Sequence, residues 1–249
     1  MLHPTGIALD YRDAIRHGPL ADALNLVRDL VIPALPQLAA SASRVATDAA
    51  DVGQVLDAAR AKHAAKWTRD RFAAVVQPHA SNVELFQKKQ LNNVLRAIVS
   101  VDVVGAEPWI APAIAEFTRE NVSLIKTIPN VFFDDVEKNL ARQIGDGVRW
   151  EEMVTGIEGT YNLAAQRAEL IARDQAGKFY GDLNRVRQVD LGITKSVWCT
   201  SNDNRVRDEH AAREGVSFEW SEGIDGETPG EPVLCRCYGA PDIAALLED

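Results

Sequence analysis

Apolar residues near the amino terminus recur at the spacing of a helix. Leu20, Leu24, Val27 and Val31 lie three or four positions apart, which predicts one buried helical face. Because proline has no amide hydrogen for the helical ladder, Pro33 predicts a break that a second helix follows. The chain is therefore expected to begin with two helices.

The next segment, residues 39–65, is rich in alanine. Alanine favours a helix but offers few large side chains to bury, so this helix must either pack closely within the chain or dock on a partner. The sequence leaves both alternatives open.

Helical signals continue to about residue 190. The capping-box pattern of Ser81 and Glu84 predicts a helix start near Ser81, and Pro129 predicts the end of another helix. Gly145-Asp146-Gly147 predicts a turn. A short amphipathic helix from Trp150 and then a long helix are expected after it.

The residue pattern changes after Gly192. Three short runs are rich in β-branched and aromatic residues and therefore predict strands: residues 196–200, 216–220 and 233–238. The polar residues 203–214 favour a helix between the first two runs. We therefore predict a mainly α fold, with an elongated helical body from about residue 9 to 190 and a small carboxyl-terminal α+β module of a few short β-strands.

Composition and charge narrow the range of partners. The chain has 249 residues, of which 46% are hydrophobic, and its formal net charge is −9. Residues 214–249 contain one arginine against nine acidic residues, so a dedicated duplex-DNA binder is disfavoured and any DNA contact should be weak and local. The apolar runs fall short of the ~20 residues of a membrane span and no secretion signal opens the chain, so no membrane partner is expected.

An ordered set of residues in the carboxyl-terminal third resembles a known family. The set begins with the continuous segment Trp198-Cys199-Thr200-Ser201-Asn202-Asp203-Asn204-Arg205-Val206-Arg207-Asp208-Glu209-His210. It continues with Gly215, Phe218, Trp220, Pro229-Gly230 and Cys235-Arg236-Cys237. This order resembles the D-x-R-V-R-x-x-H and C-R-C signatures of the Mu F-like head morphogenesis family of tailed phages. The resemblance covers roughly residues 115–241. Family members often carry Asp-Gly shortly after the histidine, whereas this chain has Arg213-Glu214-Gly215.

The resemblance implies a structural minor head protein and not an enzyme. Its expected partners are the portal protein and the major capsid or other head proteins, and its expected roles are head assembly and DNA packaging or ejection. The protein would assemble in the host cytoplasm and reside in the virion, in the capsid interior or at the portal vertex. We expect a helical region that docks on the portal or capsid (residues 1–110), a head morphogenesis domain (111–241) and an acidic tail (242–249).

The signature contains residue types that bind metal ions. Cys199, His210, Cys235 and Cys237 match the number and kind of ligands that a zinc ion accepts tetrahedrally. They contain no C-x-x-C pair, however, and Cys235 and Cys237 are placed on a predicted strand. The alternative is a metal-free cluster in which His210 bonds to an acid such as Asp203 and the cysteines pack as small apolar side chains.

The charged residues of the signature allow further interpretations. Arg205 and Arg207 alternate with acidic residues and can support the fold through ion pairs, or, with Arg236, grip a phosphate or a carboxylate of the portal. A nuclease or other hydrolytic enzyme that uses His210, Asp203 and the cysteines is the alternative function, although no magnesium-binding pattern of carboxylates is recognisable. In either case the signature residues should converge in space: Asp203, Arg205, Arg207, His210, Cys235, Arg236 and Cys237.

Overall fold

A computed structural model describes residues 4–42, 49–99 and 105–242. The described α-helices are α1 (Thr5–Ile15), α2 (Ala21–Leu26), α3 (Leu35–Ala42), α4 (Ala49–Lys66), α5 (Arg69–Val99), α6 (Ile110–Gly145), α7 (Trp150–Asp190) and α8 (Asp208–Ala211). Wider or tighter helical turns, Arg16–Leu20, Val27–Val31 and Ile32–Ala34, connect α1, α2 and α3. The strands β1 (Lys195–Cys199), β2 (Ser217–Glu219) and β3 (Tyr238–Pro241) form an antiparallel sheet in the order β2-β1-β3. The predicted mainly α fold with a small carboxyl-terminal sheet is confirmed.

The chain forms two compact units. The first unit contains Met1–Asp10, Gln77–Thr118 and Ala172–Asp249, and the second contains Tyr11–Val76 and Arg119–Ile171. Each unit thus combines segments from both sides of residue 110, where the sequence suggested a boundary. The division of roles between residues 1–110 and 111–241 stays a prediction, and the acidic tail lies outside the described residues from residue 243 onward.

The amino-terminal helices pack within the second unit. Leu20, Leu24, Val27 and Val31 are all buried, which confirms the helical face that their spacing predicts. In the alanine-rich segment, α4 turns one face inward with buried side chains at spacings of three and four: Val52, Leu56, Ala59 and His63. This face contains few large side chains, as expected, and their burial favours packing within the chain over docking on a partner.

An ion-pair cluster fixes α4 against α6 in the same unit. Arg60 Nη2 lies 2.8 Å from a carboxylate oxygen of Asp134 and 2.7 Å from one of Glu137. The residues 43–48 of the alanine-rich segment lie outside the described ranges.

The predicted helix start at Ser81 is wrong, because α5 begins at Arg69 and continues through Pro78. The apolar face explains the continuation. Phe72, Val76 and Ala80 are buried at intervals of four residues, and the stripe runs on beyond them. A proline in a helix costs about 3 kcal/mol or more, whereas each fully buried Val or Phe side chain contributes about 1.5–3 kcal/mol.

Two other predicted helix boundaries are also wrong. The helix α6 passes through Pro129, with Ile125, Ile128 and Phe132 buried on either side of it. The two helices expected from Trp150 are one, α7. The predicted turn is confirmed, because α6 ends at Gly145 and Gly147 has a φ of +69°.

The third strand lies later in the chain than predicted. β3 begins at Tyr238, so Cys235 and Cys237 precede it instead of lying on it. Leu234 has a φ of +56°, which is incompatible with an extended strand. Across the described ranges, the structure contains no helix that is long and apolar enough to cross a membrane.

Candidate functional site

The carboxyl-terminal module is attached to α7 by buried polar side chains. The Asn184 amide donates to the Gly239 carbonyl at 2.7 Å, and the Gln188 amide donates to the same carbonyl at 3.0 Å. The Gln188 carbonyl oxygen accepts hydrogen bonds from Ser196 Oγ at 2.5 Å and Trp220 Nε1 at 3.2 Å. Both side chains of α7 are fully buried, so these bonds determine where β1 and β3 lie on the helix.

Backbone contact also holds the loop before the cysteines against α7. A Cβ atom on Gly181 would lie 2.9 Å from the Pro229 carbonyl oxygen and 3.2 Å from Gly230 Cα, so only glycine fits there. Further along the loop, the Leu234 amide donates to the Asp174 carboxylate at 2.7 Å. The loop therefore reaches the cysteines in a defined conformation.

The structure brings three of the signature residues together in the interior of the module. His210 Nδ1 lies 3.5 Å from Cys235 Sγ and 3.5 Å from Cys237 Sγ. The exposed fractions of the three residues are 2%, 7% and 4%, respectively. His210 comes from α8 and the two cysteines come from the loop before β3, so the cluster connects two separate segments of the module.

The two thiols differ in their hydrogen bonding. The interaction with the Cys237 side chain is the main cause that lowers the pKa of Cys235 below its ordinary value. The backbone amides of Cys237, at 3.4 Å, and of Gly230 also donate to Cys235 Sγ. The same side-chain interaction raises the pKa of Cys237.

Charged and aromatic side chains enclose the histidine from other directions. Glu227 Oε2 lies 3.7 Å from His210 Nε2, and Arg213 Nη1 holds the same carboxylate oxygen at 2.7 Å. The hydrogen bond from Arg213 is the main cause that lowers the pKa of Glu227 below its ordinary value. Trp198 packs edge-on against the His210 ring at 5.4 Å, and the Arg213 guanidinium lies 5.0 Å from the centre of the indole.

Cys199 does not belong to this cluster, so the predicted set of four metal ligands is corrected to three. Within the described residues, the group whose ligand atoms lie close enough together to hold a metal ion contains His210, Cys235 and Cys237. Neighbouring side chains of a strand project to opposite faces, and Trp198 on β1 is the one that faces the histidine. Cys199 is paired with Tyr238 across the sheet, and burial raises the pKa of its thiol.

The charged signature residues form fewer mutual ion pairs than predicted. Asp203 pairs with Arg236 and also accepts a hydrogen bond from the Arg205 amide at 3.0 Å. Arg207 donates to the Val233 carbonyl at 2.5 Å. The suggested bond between Asp203 and His210 is therefore wrong, because Arg236 occupies the carboxylate and the histidine faces the thiols.

Exposure separates the signature into two groups. Arg205, Arg207, Asp208 and Glu209 are exposed, whereas His210 and the two cysteines are buried. The structure thus brings the histidine and cysteines together internally and leaves the arginines at the surface of the module.

Comparison with known proteins shows which family the segment that contains this cluster resembles. Residues 134–239 match the sequence profile of the family described as Phage Mu protein F like protein. This segment is therefore similar to the Mu F-like family. The resemblance inferred from the signature is confirmed, and the assignment supports a phage protein with a part in head morphogenesis.

A curated relative is similar to part of the chain, but its name gives no function. A protein of Haemophilus influenzae with the name Uncharacterized protein is 32% identical over 135 residues. The match covers 54% of this chain and 30% of the relative, so the chain spans less than a third of the length of that protein. No solved structure matches the chain significantly.

The Mu F-like segment also contains a buried arginine that the signature does not include. Arg187 on α7 is 1% exposed, and its guanidinium bonds to Glu107 at 2.6 Å, to Gln87 at 2.5 Å and to Glu84. Although burial acts to raise it, the pKa of Glu107 is lowered by hydrogen bonds from Arg187 and Lys88. Residues that precede the family match therefore complete the packing of the Mu F-like segment.

Sequence reasoning missed these interior polar residues. Asn184 lies four positions after the buried Tyr180 on α7, and Arg187 lies four positions after the buried Leu183. Gln188 in turn lies four positions after Asn184. Polar residues on a predicted buried stripe were the signal that could have identified them, because buried polar groups need partners.

Proposed function

We propose that this chain is a structural minor head protein of a tailed phage that associates with the portal and acts in head assembly and DNA packaging or ejection. The match of residues 134–239 to the Mu F-like family is the observation that carries the proposal. The protein would reside in the virion, in the capsid interior or at the portal vertex, after assembly in the host cytoplasm.

The geometry of the signature supports a structural role. The histidine and cysteines are buried and join α8 to the loop before β3, which is an arrangement that stabilises a module. The exposed Arg205 and Arg207 lie where a partner can contact them, and a guanidinium suits a carboxylate of another head protein. With a net charge of −9, the chain offers little attraction for DNA, so any DNA contact would be weak and local.

Docking of the amino-terminal region on the portal or capsid is part of this proposal. The buried Leu20, Val27 and Leu56 show that these helices also supply core to the second unit. A deletion of the region would remove that core together with any docking surface. Docking is better tested with the full chain.

Co-expression of the full chain with the portal protein of the same phage tests the association. We expect the two proteins to elute together in size-exclusion chromatography and to remain together at moderate ionic strength. Separate elution under every condition, with both proteins folded, would remove the portal from the proposal while leaving the family assignment unaffected.

The nuclease alternative makes a different prediction. Incubation of the full chain with duplex and single-stranded DNA and with Mg²⁺, Mn²⁺ or Zn²⁺ should give no cleavage, because His210 is buried and Asp203 is held by Arg236. A matched preparation of the His210→Ala protein controls for contaminating nucleases. Cleavage by the natural protein that disappears in this variant, with its fold retained, would favour the enzyme.

A further inference from the structure

The His210 ring lies between two sulfur atoms in a position that a shared cation would suit. Nδ1 is 3.5 Å from both Cys235 Sγ and Cys237 Sγ. A neutral imidazole nitrogen without a hydrogen has one lone pair, so it accepts one good hydrogen bond and not two. A cation among the three atoms would interact with all of them at once.

We propose that His210 Nδ1, Cys235 Sγ and Cys237 Sγ bind one zinc ion. Zinc bonds of about 2.0–2.1 Å to nitrogen and about 2.3 Å to sulfur, at the tetrahedral angle, place these ligand atoms about 3.6 Å apart. Both nitrogen–sulfur distances in the cluster are 3.5 Å, and all three ligand atoms lie within 4.8 Å of one another. The two nitrogen–sulfur distances therefore match those of a zinc site.

The surroundings of the ligands also suit a metal ion. Backbone amides of Gly230 and Cys237 point their hydrogens at Cys235 Sγ, which stabilises the thiolate that zinc binds. On the far side of the imidazole, Glu227 lies 3.7 Å from Nε2 and is held by Arg213. The carboxylate is too distant for a hydrogen bond, but its negative charge lies on the side of the imidazole opposite the sulfur atoms.

Three protein ligands leave one of the four tetrahedral positions for a water molecule. The ion would connect α8 with the loop before β3, two segments that are 25 residues apart at His210 and Cys235. A metal bond that closes such a loop stabilises the folded module, because the unfolded chain does not preform the site. The site therefore has a structural purpose that is independent of the proposed function in the phage head.

The test uses the untagged full chain, purified after expression in zinc-supplemented medium and dialysed against metal-free buffer. Elemental analysis should find about one zinc per chain. Cobalt loaded in place of zinc should give the visible bands of a tetrahedral site and the near-ultraviolet band of a cobalt–thiolate bond. A strong chelator should lower the midpoint of thermal unfolding by roughly 5 °C or more.

Two variants and a matched control locate the site. Cys237→Ser and His210→Gln should each reduce the bound zinc to about a tenth or less, whereas Cys199→Ser should retain it because Cys199 is not in the cluster. If the cluster variants fail to fold, the natural protein and Cys199→Ser decide by their zinc content and cobalt spectra. Folded natural protein without stoichiometric zinc, without a cobalt–thiolate band and without a response to chelator would overturn the proposal. Zinc retained in full by Cys237→Ser would do the same.

Discussion

Replacing Arg187 with alanine should lower the free energy of unfolding by about 3–5 kcal/mol, because it removes a buried guanidinium that pairs with the partly buried carboxylates of Glu84 and Glu107. Lys88 remains as a partner of Glu107 only. Urea unfolding followed by circular dichroism measures this loss. The matched control is Arg28→Ala, which removes an exposed ion pair of 3.8 Å with Glu158 and should cost about 0–1 kcal/mol. Equal losses for the two variants would contradict the role given to Arg187.

The same ion pairs should make the stability depend on pH. The folded-state pKa of Glu107 is lowered, so its contribution is present above its unfolded pKa of about 4.3 and is lost as the pH falls through the folded value. The Arg187→Ala protein keeps only the part of this contribution that Lys88 supplies. The difference in unfolding free energy between the natural protein and the Arg187→Ala protein should therefore become smaller at acidic pH.

Replacing Trp198 with alanine should cost about 3–5 kcal/mol, the range for deletion of a large buried aromatic side chain. Trp198 is fully buried and packs against Phe218 at 6.0 Å and His210 at 5.4 Å, so its removal opens a cavity beside the cysteine cluster. Thermal unfolding monitored in the near ultraviolet, where the aromatic packing is reported, measures the effect.

The control for this variant is Trp150→Ala, because Trp150 is 38% exposed at the start of α7. The Trp150→Ala variant should lower the unfolding free energy by less than about half of the loss expected for Trp198→Ala, since less buried apolar area is removed. A Trp198→Ala protein as stable as the Trp150→Ala protein would show that the module does not depend on its aromatic core.

Helices could be predicted from apolar spacing, but their ends could not be predicted from prolines. Leu20 and Val27 illustrate the success, because a buried face leaves its period in the sequence. Pro78 and Pro129 illustrate the failure, since both lie inside continuous helices whose buried residues offset the local cost. Local signals compete with tertiary packing, and only the three-dimensional structure shows which prevails.

The candidate site was predictable in its residue types but not in its partners. The signature led to His210, Cys235 and Cys237. The pairing of Asp203 with Arg236 and the exclusion of Cys199 from the cluster, in contrast, depend on the turn at Leu234 and on the face of β1. Such contacts arise between segments far apart in the sequence. A single sequence contains no spacing rule for them.

Purified heads provide the most direct test of the assignment to the phage head. Proheads and virions, separated from free protein by gradient centrifugation, are analysed by quantitative mass spectrometry for this chain and for the portal protein. We expect the chain in both particles, in few copies and in constant ratio to the portal, and we expect its loss from particles assembled without the portal. DNA-filled, infectious particles that contain no copy of the chain, with all of it free in the lysate, would contradict a structural role in the head.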